Sequence, residues 1–128
     1  MHLKSFGLAA VAALALAGLA LAVPASAHHS HANYETLKWT NLTGVVKEVH
    51  WLNPHVWVYM TAKDDAGKEI LWTLEGGSPA ALTRGGWTKD SVKAGDQINV
   101  RCHHAKDLSP NCLLGFLTPP GGVPKEFD

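Results

Sequence analysis

The chain has 128 residues, 11 basic against 11 acidic, with 46% apolar content, 8 histidines, 5 tryptophans and 2 cysteines. That length leaves room for one domain of about 100 residues behind a leader and excludes a second core. A balanced charge with no basic stripe argues against nucleic acid as a partner.

The apolar content is unevenly spread. Twenty of the first 27 residues are apolar. Lys4 precedes an apolar run over residues 6–23, and Pro24-Ala25-Ser26-Ala27 closes it. A basic start, an apolar stretch and an A-x-A exit make residues 1–27 a secretory signal peptide. A single membrane anchor is the competing reading, and the Ala-rich run with its small-residue exit argues against it. Cleavage after Ala27 sends a chain that begins at His28 to the periplasm or outside the cell. No later stretch approaches the ~18–20 apolar residues of a membrane span, so no membrane association is expected after cleavage.

Residues 28–41 are polar and His-rich and are expected to form an N-terminal arm. Residues 42–52 alternate as a first strand, with Val45, Val49 and Trp51 on one face and Val46, Glu48 and His50 on the other. Asn53-Pro54 breaks it. Residues 55–62 form a second strand, with Val56, Val58 and Met60 on one face and His55, Trp57 and Tyr59 opposite. Asp64-Asp65-Ala66-Gly67 is a hairpin turn, and residues 68–75 form a third strand. Ser78 caps and Pro79 opens a short helix over residues 79–84, which Gly85-Gly86 ends. Residues 97–103 and 112–117 are two more strands, and residues 123–128 form a frayed tail. Three strands, one short helix and two strands are the layout of an all-β, five-stranded OB-like barrel over residues 42–122. A small β-sandwich is the rival arrangement.

Cys102 and Cys112 fall on the last two predicted strands. An exported chain meets an oxidising compartment, so a disulfide is expected, with thiolate metal ligation as the alternative. Their spacing is not a C-x-x-C, which favours the structural bridge.

The sharpest chemical feature appears only on cleavage. An N-terminal His28 offers its amine and its ring Nδ1 to one metal ion. A third nitrogen, from another imidazole, completes a histidine brace, which suits tetragonal Cu(II). Zinc and nickel are the alternative occupants. The amine has a pKa of only ~7.7–8, so a metal displaces its proton easily near neutral pH. His55, beyond the Asn-Pro break on the expected binding loop, is the favoured partner. His50, His29 and His31 are further candidates. Ser30 occupies the third mature position, which excludes the amino-terminal copper site that needs His there. Met60 is the one methionine outside the leader, which argues against a Met-rich copper carrier.

All five tryptophans lie beyond the leader. Core packing is their ordinary role, and an aromatic platform for a flat ligand is the functional one. Trp57, Tyr59 and Trp51 are the candidate ligand face. Glu75, ahead of Gly76-Gly77, is a candidate partner to a histidine or a metal. No Ser-His-Asp order, paired-carboxylate motif, H-E-x-x-H or phosphate loop is visible.

The chain also shows His28-His29-Ser30, Thr43-Gly44-Val45-Val46, Trp51-Leu52-Asn53-Pro54-His55-Val56-Trp57 and Asp65-Ala66-Gly67-Lys68. Trp72, Glu75-Gly76-Gly77-Ser78-Pro79, Gly86-Trp87 and Lys93-Ala94-Gly95-Asp96 follow. In these residues and their spacing it resembles a family of small exported bacterial proteins known as domain of unknown function 6152. The resemblance implies no activity. It does mark His28, His29 and His55 as motif positions. The chain departs from the family pattern at Cys102, His103, His104 and Cys112.

The expected function is periplasmic binding, buffering or delivery of a metal ion, with copper favoured and a second periplasmic protein as a candidate partner. The alternative is a barrel that binds a non-metal ligand or a protein through its Trp-rich face. An enzyme, such as a copper oxidase acting on a polymer, ranks below both, because about 100 residues leave little room for a substrate surface.

Overall fold

Alternating apolar and polar side chains in the computed structural model build the strands β1 (Thr40–His50), β2 (Trp57–Lys63), β3 (Glu69–Glu75), β4 (Gln97–His104) and β5 (Asn111–Thr118). The structure describes residues 31–128, so the expected leader at 1–27 and the expected ligands His28 and His29 lie outside the described residues. A helix, α1 (Pro79–Arg84), stands between β3 and β4. Strand β1 pairs antiparallel with both β2 and β4, β2 pairs with β3, and β4 with β5. A short parallel pairing of β3 with β5, from Thr73↔Asn111 to Glu75↔Leu113, closes the ring. The result is the five-stranded OB-like barrel expected from the element order.

Local chemistry explains the turns. Asp64 Oδ1 accepts hydrogen bonds from the amides of Ala66 and Lys68, and Gly67 takes the positive φ that the hairpin needs. Ser78 Oγ accepts the Ala81 amide and Pro79 sits in the first turn, so α1 starts where the sequence predicts.

Strand β1 departs from its simple alternation. Val46 is buried at 1% exposure whereas Val45 is 40% exposed. Pairing with β2 runs Val46↔Met60 and then Glu48↔Tyr59, which leaves Lys47 as an extra residue. This bulge switches parity, so Val46, Val49 and Trp51 all reach the core. The expected face of Val45, Val49 and Trp51 therefore breaks at Lys47. A second irregularity lies between β4 and β5, where the partner of Arg101 is Phe116 and that of Cys102 is Leu114. Gly115 is skipped, and both Leu114 and Leu117 point inward. The indole of Trp39 lies on this glycine, where a Cβ would come within 2.6 Å of the ring.

The core gathers Val58, Met60, Leu74, Ile98, Val100 and Leu114 around a disulfide. Cys102 and Cys112 are bonded, fully buried, with Cα atoms 5.7 Å apart. In register Cys102 faces Leu114 and Cys112 faces His104, so the bridge crosses β4 and β5 diagonally.

The tail is not frayed. Strand β6 (Lys125–Glu126) pairs with β5, and Phe127 is 1% exposed. The Phe127 amide donates to the Gly115 carbonyl, and the Gly77 amide donates to the Phe127 carbonyl, each at 2.9 Å. The Trp87 indole N–H donates to the Glu126 carbonyl, and its ring meets Phe127 edge to face at 4.8 Å. Gly76 makes room: a Cβ there would lie 2.7 Å from the Phe127 ring. A single apolar residue near the end of a polar stretch gives no periodic signal, so this seat is visible only in three dimensions.

Two stability outcomes follow from this packing. Phe127→Ala lowers unfolding free energy by about 3–5 kcal/mol, because the ring is deleted from a closed pocket. Replacing both cysteines with serine costs about 2–4 kcal/mol, the usual range for opening such a loop. Urea denaturation monitored by tryptophan fluorescence measures each; a change below 1 kcal/mol in either would contradict the packing account.

Candidate functional site

The β1–β2 connection carries His55 onto the outside of the barrel. The Val56 amide donates to the Gly77 carbonyl and the Gly76 amide returns a bond to the Val56 carbonyl. These two bonds hold His55 beside Glu75 and Gly76. His55 Nδ1 lies 3.0 Å from the Gly76 carbonyl. A carbonyl only accepts, so Nδ1 carries the proton and donates. In the neutral ring Nε2 then keeps its lone pair, on a side chain that is 33% exposed.

Glu75 stands next to it. Leu74 points into the core, so Glu75 faces the opposite side of β3, level with Trp57 on β2 and Leu113 on β5. An outward carboxylate is ordinarily solvated. This one is 3% exposed and is the one buried charged side chain among the described residues. Tyr34 of the N-terminal arm contributes to its cover. After a short 3-10 turn, η1 (His31–Asn33), Tyr34 bridges to Ala105. The Glu35 amide donates to the His104 carbonyl and the Lys106 amide to the Asn33 carbonyl, each at 2.9 Å. Tyr34, Ala105 and Leu113 form a small second buried cluster over β5.

Within this cover the Tyr34 hydroxyl donates to Glu75 Oε2 at 2.9 Å. The other oxygen, Oε1, lies 3.6 Å from His55 Nδ1. One carboxylate thus stands between the arm and the histidine. Burial, with the hydrogen bond to Glu75 and its charge, pushes the Tyr34 phenol well above its ordinary range.

Among the described residues, His50, His103 and His104 are engaged elsewhere. His50 Nε2 meets Glu48 Oε1 at 2.7 Å, and its ring leans on Tyr59 at 4.9 Å. Both partners of that pair are well exposed, so it is worth under about 1 kcal/mol. His31 opens the 3-10 turn at the surface. His103 donates through Nδ1 to the Lys38 carbonyl and stacks on Trp39 at 3.9 Å. His104 donates through Nε2 to the Ser109 carbonyl beside Trp72. No group of three or more His, Cys, Asp or Glu side chains placed to hold a metal ion occurs among the described residues. His55 and Glu75 are brought together; His50 and His31 do not form a group with them.

Trp57 and Tyr59 lie half-buried on the outer side of β2, and His50 is paired with Trp57 in register. Trp51 leaves this face and packs against the core. Tyr34 is the residue that sequence reasoning passed over. Its signal is faint: an aromatic ring early in an arm that is otherwise mostly polar.

A family model described as a family of unknown function (DUF6152) matches residues 15–113. The match takes in the arm, strands β1 to β4 and the start of β5. No curated protein and no solved structure matches the chain.

The buried phenol sets an alkaline limit. Its pKa is raised in the folded chain, so the native state holds this proton more tightly than the unfolded one. The stability gained is whole below the ordinary phenol pKa of 10.0 and is lost as pH rises beyond it toward the folded value. In Tyr59→Phe protein, phenolate absorbance from Tyr34 will rise only above the ordinary phenol range. Adding Glu75→Gln will bring that rise to lower pH. Titration of Tyr34 at the ordinary phenol value would refute the buried hydrogen bond.

Proposed function

The chain belongs to the family of unknown function DUF6152, and we propose that it is an exported Cu(II)-binding module that buffers or delivers the ion in the periplasm. The lead ligand is His28, exposed by cleavage after Ala27, through its amine and ring. The partner is His55 through Nε2. His29, His31 and His50 are reserve donors. Zinc and nickel compete less well, because nitrogen ligands favour copper among these divalent ions.

The observation that carries this reading is the state of the His55 ring. A ligating histidine ordinarily donates its second ring N–H to a carbonyl or carboxylate, which fixes the tautomer and makes the other nitrogen a better ligand. His55 has the Gly76 carbonyl at 3.0 Å and the Glu75 carboxylate at 3.6 Å behind Nδ1. Nε2 is left for a metal. The arm supports the same reading. Tyr34 is held to Glu75, and His28 precedes Tyr34 by six residues. Six residues span up to about 20 Å, enough to bring a processed amino terminus to His55.

The module binds the ion and, in delivery, hands it to a second periplasmic protein. No catalytic step is assigned to it.

Protein exported and processed by a bacterial host is the material for the test. Intact mass will place its first residue at His28, and calorimetry will give a submicromolar Cu(II) dissociation constant. His28→Ala, an extra residue ahead of His28, and His55→Ala will each weaken binding at least about tenfold, or ~1.4 kcal/mol. A different first residue, or micromolar or weaker binding by the wild type, rules the proposal out.

A further inference from the structure

We infer that Glu75 is the counter-charge of this site, selecting a cation at His55 and coupling its binding to the seating of the N-terminal arm. The inference rests on the reading of His55 as a metal ligand and adds a residue and a direction of coupling to it. Glu75 is the buried charged side chain on the outer side of the barrel, with Tyr34 on one oxygen and His55 near the other. Seating the arm helps to take this carboxylate out of water. Removing a charge from water is costly unless another charge or a donor compensates it.

Tyr34 supplies a single hydrogen bond, to Oε2. A cation on His55 Nε2 draws positive charge into the ring and toward Oε1, which offsets what the Tyr34 bond leaves uncompensated. A neutral ligand at the same nitrogen supplies no such charge. The site therefore prefers a cation, and the cation favours the seated arm. Linkage requires the reverse by the same factor: the seated arm must tighten cation binding. Glu75 acts here as a positioning and specificity-determining residue, since it reaches the ion through His55.

Two backbone hydrogen bonds among those that hold the arm provide a readout besides affinity. They are the Glu35 amide on His104 and the Lys106 amide on Asn33. Hydrogen exchange of the segments holding these amides is followed by mass spectrometry on the exported, processed protein, with and without Cu(II). Cu(II) will slow exchange in both at least about fivefold, the lower end of ordinary coupling. Tyr34→Phe will weaken Cu(II) binding by a similar factor in the wild type and leave it unchanged in Glu75→Gln protein. That last comparison separates Glu75 from simple chelation by the arm, which predicts the same Tyr34→Phe loss in both backgrounds. If Glu75→Gln does not fold, Glu75→Asp takes its place: it keeps the charge but shortens the reach, and the Tyr34→Phe loss must shrink there too. Cu(II) binding with unchanged exchange, or equal losses in the two backgrounds, overturns the inference and leaves the metal reading standing. Absence of Cu(II) binding by the wild type overturns that reading and the inference with it.

Discussion

A carboxylate on the outside of a barrel stays out of water only if something covers it and gives it a donor. For Glu75 the arm contributes to both. It places the Tyr34 hydroxyl on the buried Oε2. That constraint orders much of the surrounding structure. It requires the arm to turn back over β5, and it requires β3 and β5 to be neighbours so that Leu113 and Ala105 can support the tyrosine ring. The same placement leaves His55 at the edge of the covered region, with its Nδ1 engaged by the Gly76 carbonyl.

The barrel supplies the rigid frame for this placement through two corrections to strand parity. Strand β1 must cover a core on one side and bend around it, and the extra residue Lys47 lets Val46 and Val49 both point inward. Strand β5 does the same at Gly115, which also leaves a flat place for the Trp39 indole. Trp39 in turn stacks on His103 and lies against Arg101, which anchors the arm where it enters β1. His103 thus serves as packing for the arm, and His104 closes the β4–β5 end through its bond to Ser109. The diagonal disulfide ties those two strands from the inside. Cys102, His103, His104 and Cys112 therefore lie together around the β4–β5 pair, and none of them enters the site at His55.

Opposite ends of the chain converge on the short segment Glu75-Gly76-Gly77. The arm reaches Glu75 through Tyr34, and the tail reaches Gly76 and Gly77 through Phe127. Two adjacent glycines allow the tail backbone and the Phe127 ring to approach where any Cβ would clash. Because the Gly76 carbonyl is also the partner of His55 Nδ1, the tail helps to fix the orientation of the candidate ligand.

Much of this was legible in the sequence because it depends on local chemistry. Strand alternation, the Asp64–Gly67 turn and the Ser78-Pro79 helix start are set by neighbouring side chains, and their order indicated the barrel. The prominence of His55 and Glu75 was also legible, from the Asn-Pro break and the glycine pair. The parity switches were not, because a bulge is decided by how a strand must bend across its partners. Nor were the seats of Tyr34 and Phe127, each a lone ring whose partner lies 41 residues away for Tyr34 and, for Phe127, in the mid-chain segments at Gly76-Gly77 and Trp87. The sequence alone determined which groups can donate, accept or ligate. Tertiary structure alone decided that one carboxylate would leave water between a tyrosine and a histidine, because only closure of β3 on β5 brings those distant segments to one place.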